Sequence, residues 1–314
     1  MPHTMGLQAL YQLSEVKIVE LLESLVKKGF KSELRLALSS LRKSELQLDL
    51  DYFEDQLSKL FVIAIHQPGF LPWPGYFHKV MYSDHFVWLD HVDIARKNFI
   101  SRVPINSFSG KKYLLIPLKK HSFTDCITSM QIVNDSWKQT HLGQLSFYRK
   151  APFYSLIMKR LKECYASLKS TSLVEINWTL FQMMLELLGI DPLITKSSNM
   201  NLLSKKEELM IEITKKLNGN VYLSGMQAER YQSPSNFSNQ QIRLIYQDYY
   251  NYQVHYPYNQ NSDDFCNGLS VIDLLFYLGP DEVKRYIQQY DNYSLGRIIE
   301  NFKKNPNHFQ LECR

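Results

Sequence analysis

The sequence predicts an α/β fold: a mostly parallel sheet with helices on both faces, a small β-hairpin insertion, an N-terminal helical appendage and a helical C-terminal part. Three observations carry this. Short apolar runs alternate with helical patterns from Phe61 onward, which is the signature of βαβ units. Two strand-like runs near residues 111 to 133 stand side by side with only a polar loop between them, as a hairpin requires. The first 60 residues show helical spacing with no strand signal. The expected division is therefore 1–60, an appendage, and 61–314, the α/β domain.

Taken in order, SEVKIVELLESLVKKGF places Val19, Leu22, Leu25 and Val26 on one helical face, with Ser14 as a candidate N-cap and Gly29 as a stop. Helices follow near Ser32 to Leu41 and Leu50 to Leu60. Such short helices need a surface on which to bury their apolar faces, so the appendage packs on the main domain, on a second copy or on a protein partner. FVIAIH is the first strand, Tyr76 to Tyr82 a short helix, and HFVWLD a second strand ending on Asp90. KKYLLIPL and ITSMQIV form the predicted hairpin. Helical pattern then runs from Ser136 to Leu188 with breaks near Ala151 and Ser170. LITKSS, VYLSG and IRLIYQ read as strands, with a helix from Ser204 to Leu217 among them and helices near Ser270 to Tyr277, Asp281 to Gln289 and Ser294 to Asn301 closing the chain.

Composition narrows the function classes. Of 314 residues, 45% are hydrophobic and 21% charged, the balance of a globular chain. A net charge of +5, dispersed along the sequence, gives no nucleic-acid footprint. It leaves room for anionic small molecules. Cys126, Cys164, Cys266 and Cys313 lack CxxC spacing, so reduced thiols without a structural zinc are expected. No apolar run approaches the roughly 20 residues of a spanning helix, and the opening MPHTMGLQALYQLSEVK lacks the pattern of a secretory leader. A cytoplasmic location is the expectation.

The stretch HQPGFLPWPG after the first strand is the most informative. Three prolines fix φ and two glycines relax it, so the loop is built to hold one shape close to something. His66 stands at the carboxyl end of the strand, where ligands of open α/β sheets bind, and an imidazole there suits a general base or a hydrogen-bond partner. Gln67 beside it offers an amide donor and acceptor. Asp90 ends the second strand and is expected beside His66, to orient it or take a hydroxyl; a loop acceptor is the competing role.

HQPGFLPWPGYFHKVMYSDHFVWLDHV resembles the signature of the WbqC-like protein family, and ARKNFISRVPI, SWKQTHLGQLSFYRKAPFY, YLSGMQAERY and YPYNQNSDDFCNGLSVIDLLFYLG are similar to its later segments. The resemblance covers about residues 61 to 280. Asp93, Ile94, Ser101 and Tyr277 depart from the family pattern. Proteins of this kind accompany genes for bacterial surface polysaccharides, which implies chemistry on nucleotide sugars, acyl groups or aminoacyl groups. The resemblance raises Lys97 and Arg102 from solvated loop cations to candidate anion ligands, and it adds Tyr258, Gln260 and Asp273 as substrate-binding candidates. For Asp273 a capping role beside Ser270 competes. Trp137, His141 and Tyr148 share one helical face, making His141 a catalytic candidate and Tyr148 a binding one, against the commoner fate of a hydrogen-bonded core histidine. YLSG is expected to run as a strand into a tight turn in which Gly225 exposes Ser224, and Ser224 and Tyr231 complete the set. No metal is expected, since no HExxH-like spacing occurs.

The implied activity is acyl or aminoacyl transfer to an amino sugar in surface-polysaccharide or O-antigen biosynthesis, on a small-molecule substrate such as a nucleotide sugar or acyl donor. No cofactor is indicated. Two alternatives stand beside it. FxPxxG before a helix resembles the HxGH loop of nucleotidyl-transfer enzymes, although Trp73 occupies the place of that loop's first histidine. A non-catalytic scaffold docking through the N-terminal helices is the other.

Overall fold

The computed structural model describes residues 5–46, 48–94, 99–108, 110–252 and 268–304. Its centre is a five-stranded sheet in the order β5-β2-β1-β6-β7. The strands are β1 (Val62–His66), β2 (His85–Trp88), β5 (Ile194–Lys196), β6 (Val221–Gly225) and β7 (Arg243–Gln247), and every neighbouring pair is parallel. β3 (Arg102–Ile105) and β4 (Lys112–Leu115) form a separate antiparallel hairpin.

Both faces of the sheet are covered. Along β1, Val62 and Ala64 join the larger apolar core, while Ile63 and Ile65 join a second one with Leu209 and Ile213 of α9 (Lys206–Lys216) and Phe237 of α10 (Pro234–Ser238). Because side chains alternate along a strand, the period of two assigns whole sets to one side. Val62, Ala64 and His66 of β1, Val221, Leu223 and Gly225 of β6, and Ile245 and Gln247 of β7 all face the larger core. That side holds α5 (Pro74–Tyr82), α8 (Leu173–Leu188) and α11 (Val271–Gln288), the last kinked where Gly279 adopts φ 75° ahead of Pro280.

The N-terminal helices α1 (Met5–Leu10), α2 (Glu15–Lys28), α3 (Lys31–Leu41) and α4 (Asp51–Ser58) contribute Leu10, Leu22, Leu25, Leu34, Leu38 and Phe53 to this same continuous core. Polar anchors reinforce them. Lys31 Nζ donates to both oxygens of Asp84 at 2.7 and 2.8 Å and to the Leu60 carbonyl at 2.5 Å, while Asp84 also takes the amide of Val62 that opens β1. Glu33, 2% exposed, accepts from Tyr82 of α5 and from Ser294 of α12 (Tyr290–Lys304). Burial beside Asp291 raises its carboxyl to about 7. Helices α6 (Ser136–Leu145) and α7 (Tyr154–Ser167) complete the helical layer between hairpin and α8.

The hairpin differs from expectation in its strands. RVPI pairs with KYLL, and ITSMQIV supplies only a 3-10 turn at Ile127–Ser129 and isolated bridges such as Leu118 to Ile132. Pro104 makes RVPI look like loop. It is tolerated because a two-stranded ribbon has an open edge, along which the Pro104 carbonyl accepts the Ser270 amide at 2.9 Å. Among the described residues no helix is long and apolar enough to cross a membrane.

Candidate active site at the ends of β1 and β6

From β1 the chain crosses to β2 on one side, and after β5 it returns to β6 on the other. The loops that leave β1 and β6 therefore run in opposite directions. In an open parallel sheet this reversal leaves a crevice outside the carboxyl ends of the two strands, where ligands bind. His66 ends β1 and Gly225 ends β6, both facing α5.

The loop after His66 is pinned in place. Leu71 adopts φ 43°, a left-handed conformation that strains a non-glycine residue, and is fully buried. Its carbonyl accepts Ser270 Oγ at 2.6 Å, Pro72 O accepts the Val271 amide, and Ser270 Oγ in turn caps α11 by accepting from Ile272. The stiff loop and the start of α11 are thus one clamped unit. At the first turn of α5, Gln247 Nε2 donates to Gly75 O at 3.0 Å and to His78 Nδ1 at 2.6 Å, and His78 Nε2 meets Asp291 at 2.9 Å.

His66 is half-buried, with its ring edge-on to Tyr76 at 4.7 Å. Nδ1 lies 3.0 Å from the Gln67 carbonyl. A carbonyl only accepts, so Nδ1 carries the proton and Nε2 presents a lone pair, with no bonding partner among the described residues. The imidazole is held neutral: burial, and then the charge of Lys79, lower its pKa to about 4. The Gln67 side chain likewise has no partner among the described residues.

Lys79, which the sequence reading passed over, is the other notable group. It lies in α5, is 5% exposed, and its amine makes no hydrogen bond or ion pair with any described residue. Burial alone lowers its amine from 10.5 to about 7. A methyl carbon built on Gly225 would stand 3.5 Å from Nζ, which places the amine at the end of β6. The available sequence signal was a lysine inside a nine-residue helix whose other positions are nearly all apolar or aromatic.

The remaining candidates lie elsewhere in the fold. Asp90 is 1% exposed, and its oxygens accept from Ser197 Oγ, Ser198 N and Ser198 Oγ at 2.8 to 3.0 Å, so the carboxylate ties the end of β2 to the turn after β5 and makes no bond to His66. His141 is 1% exposed between Phe70 and Trp137, with Nε2–H on Leu115 O and Nδ1 accepting from Tyr165, and burial lowers it to about 4. Both of its nitrogens are occupied by the core. Tyr148 donates to Asp273 at 2.5 Å and accepts the Asn106 amide at 3.0 Å, joining the hairpin to α11 in a buried network. Ser224 faces the other side of the sheet and donates to Gln232 at 2.7 Å, and Tyr231 is exposed. Arg102 opens β3 with its guanidinium 5.3 Å over the Tyr113 ring. Lys97, Tyr258 and Gln260 lie outside the described residues. Among the described residues no three His, Cys, Asp or Glu side chains gather as a metal-binding group.

No solved structure matches the chain. Among curated proteins it is 27% identical over 231 residues to the uncharacterised protein Rv1507c of Mycobacterium tuberculosis (strain ATCC 25618 / H37Rv), an alignment covering 72% of this chain and 99% of that one. The WbqC-like protein family model matches residues 67–285, a span holding the clamped loop, Lys79, Gly225 and most of α11. With well over half of its length matched in this way, the chain belongs to the WbqC-like protein family.

Proposed function

We propose that the protein is a transferase that moves an acyl or aminoacyl group onto the amine of an amino sugar during assembly of bacterial surface polysaccharide. The observation that carries this reading is the His66 imidazole, neutral, fixed in tautomer by the Gln67 carbonyl and presenting, at the reversal of strand order, an Nε2 without a partner among the described residues. An amine attacking an acyl carbon must lose a proton as the C–N bond forms. Nε2 takes that proton and returns it to the leaving group as the old acyl bond breaks, so atoms and charge balance without a further reactant. The family's association with surface-polysaccharide genes supplies the acceptor class.

The test is turnover. Purified protein is incubated with nucleotide-linked amino sugars and with acyl thioesters or aminoacyl donors, and products are read by mass spectrometry. A product should appear with the natural chain, and His66→Ala should lower its rate by roughly 10²- to 10⁴-fold with an unchanged melting temperature. His66→Gln keeps hydrogen bonding without basicity and should be equally slow. Turnover retained in either variant would overturn the assignment of His66.

A further inference from the structure

Among the described residues two lysines are buried, and the fold treats them differently. Lys31 has all of its donors answered by Asp84 and the Leu60 carbonyl. Lys79 has none answered by a described residue, although three donors and a charge are withdrawn from water there. On α5 the neighbouring His78 is already bonded to Gln247 and Asp291, the facing group on β1 is the uncharged His66, and β6 offers Gly225 and the remote Ser224. Among the described residues no carboxylate acts on the amine.

Gly225 is informative for what it lacks. Its φ of −98° and ψ of 149° are ordinary extended backbone that any residue adopts, so no conformational need explains a glycine. A side chain there would project from the β6 end toward Lys79 Nζ. A larger side chain would occupy the space beside the amine, at the place where the strand order reverses.

We propose that Lys79 is an anchoring cation for an anionic group of the substrate, a phosphate ester or a carboxylate, bound between the ends of β1 and β6 over Gly225. It rests on this crevice being the reaction site proposed above, and it names a substrate class that the transferase reading leaves open: one reactant must be an anion. An anion at Lys79 has a mechanistic consequence. The lysine charge is one of the two influences that weaken His66 as a base, so pairing it with a substrate anion restores basicity to the imidazole only when that substrate is bound.

The experiment is calorimetric binding of inorganic pyrophosphate and of acetate to the full chain, its Lys79→Met and Gly225→Val variants, and His66→Ala. Pyrophosphate or acetate should bind the natural chain, and whichever binds more tightly identifies the phosphate-ester or the carboxylate source. Lys79→Met should weaken that binding by roughly 10- to 100-fold, the usual consequence of losing a charge-assisted contact. Gly225→Val, which leaves every charge in place and only fills the approach, should weaken it as well. His66→Ala should retain the affinity within about threefold, since a neutral imidazole adds little to holding an anion. Neither probe binding, or Lys79→Met and Gly225→Val binding as the natural chain does, would overturn the proposal. Because these are binding measurements, they fail independently of turnover: an inactive His66→Ala with intact anion binding separates the two readings.

Discussion

Replacing Lys79 by methionine should stabilise the protein, and by an amount that depends on pH in a defined direction. The perturbation keeps an unbranched side chain of similar reach in α5 and removes only the amine. The fall of that amine from 10.5 to about 7 measures the disadvantage of its cation in the fold, and at ~1.36 kcal/mol per pH unit it amounts to roughly 5 kcal/mol. The sign follows from proton counting. Below pH 7 the lysine is charged in both folded and unfolded chains, so the whole penalty is present. Between about 7 and 10.5 the folded chain has released the proton and the unfolded chain still holds it, so stability rises with pH and the penalty disappears. Urea unfolding of the two proteins, followed by tryptophan fluorescence, should show methionine ahead by several kcal/mol near pH 6 and the gap closing toward pH 10. His66 gives a second readout, since loss of the neighbouring charge should raise its titration above about 4 in an NMR experiment. A gap that is zero near pH 6, or that stays constant with pH, would show that the lysine is not an unpaired buried cation.

Four further outcomes follow from named contacts. Lys31→Met should cost about 2–4 kcal/mol in chemical denaturation, because it leaves the half-buried Asp84 and the Leu60 carbonyl without their donor. A truncation starting near Ser58, which removes that anchor together with Leu10, Leu22, Leu25 and Leu34, should lose its near-UV circular dichroism; a cooperatively folding fragment would mean the sheet completes its core without these helices. Tyr148→Phe should cost about 1–3 kcal/mol, since the Asn106 amide loses its acceptor and Asp273 a donor, with stability read by thermal unfolding. Glu33→Gln should gain on the natural chain as pH rises from 4.5 through 7, by up to roughly 3 kcal/mol, because the buried carboxyl binds its proton more tightly folded than unfolded and loses stability as it ionises.

The sheet was readable because its strands are continuous apolar runs covered on both faces, and β1, β2, β6 and β7 stand where FVIAIH, HFVWLD, VYLSG and IRLIYQ put them. The hairpin was misplaced for a local reason: four residues with a proline carry too little pattern to outweigh the longer ITSMQIV. Among the candidate site residues, position along a strand did not reveal hydrogen-bond partnership. His66 and Asp90 both end strands of the same sheet, yet Asp90 is committed to Ser197 and Ser198, 107 and 108 residues away in the chain, and no pattern around LDHV announces those two hydroxyls. His141 is settled in the same way by Leu115 and Tyr165.

Lys79 escaped for the opposite reason. A lysine carries a strong presumption of solvent, and only the tertiary arrangement, which buries α5 almost all round between sheet and helices, turns it into an isolated cation. Gly225 was misread along with it. In the sequence YLSG looks like a tight turn whose glycine exposes Ser224, whereas the backbone there is extended and Ser224 points to the other face. A side chain there would begin 3.5 Å from Lys79 Nζ, so on the proposal above the glycine acts sterically. A pattern search cannot separate that use of glycine from a conformational one, because both write the same letter. Backbone angles can, and at φ −98° the conformational explanation is spent while the approach to the amine remains.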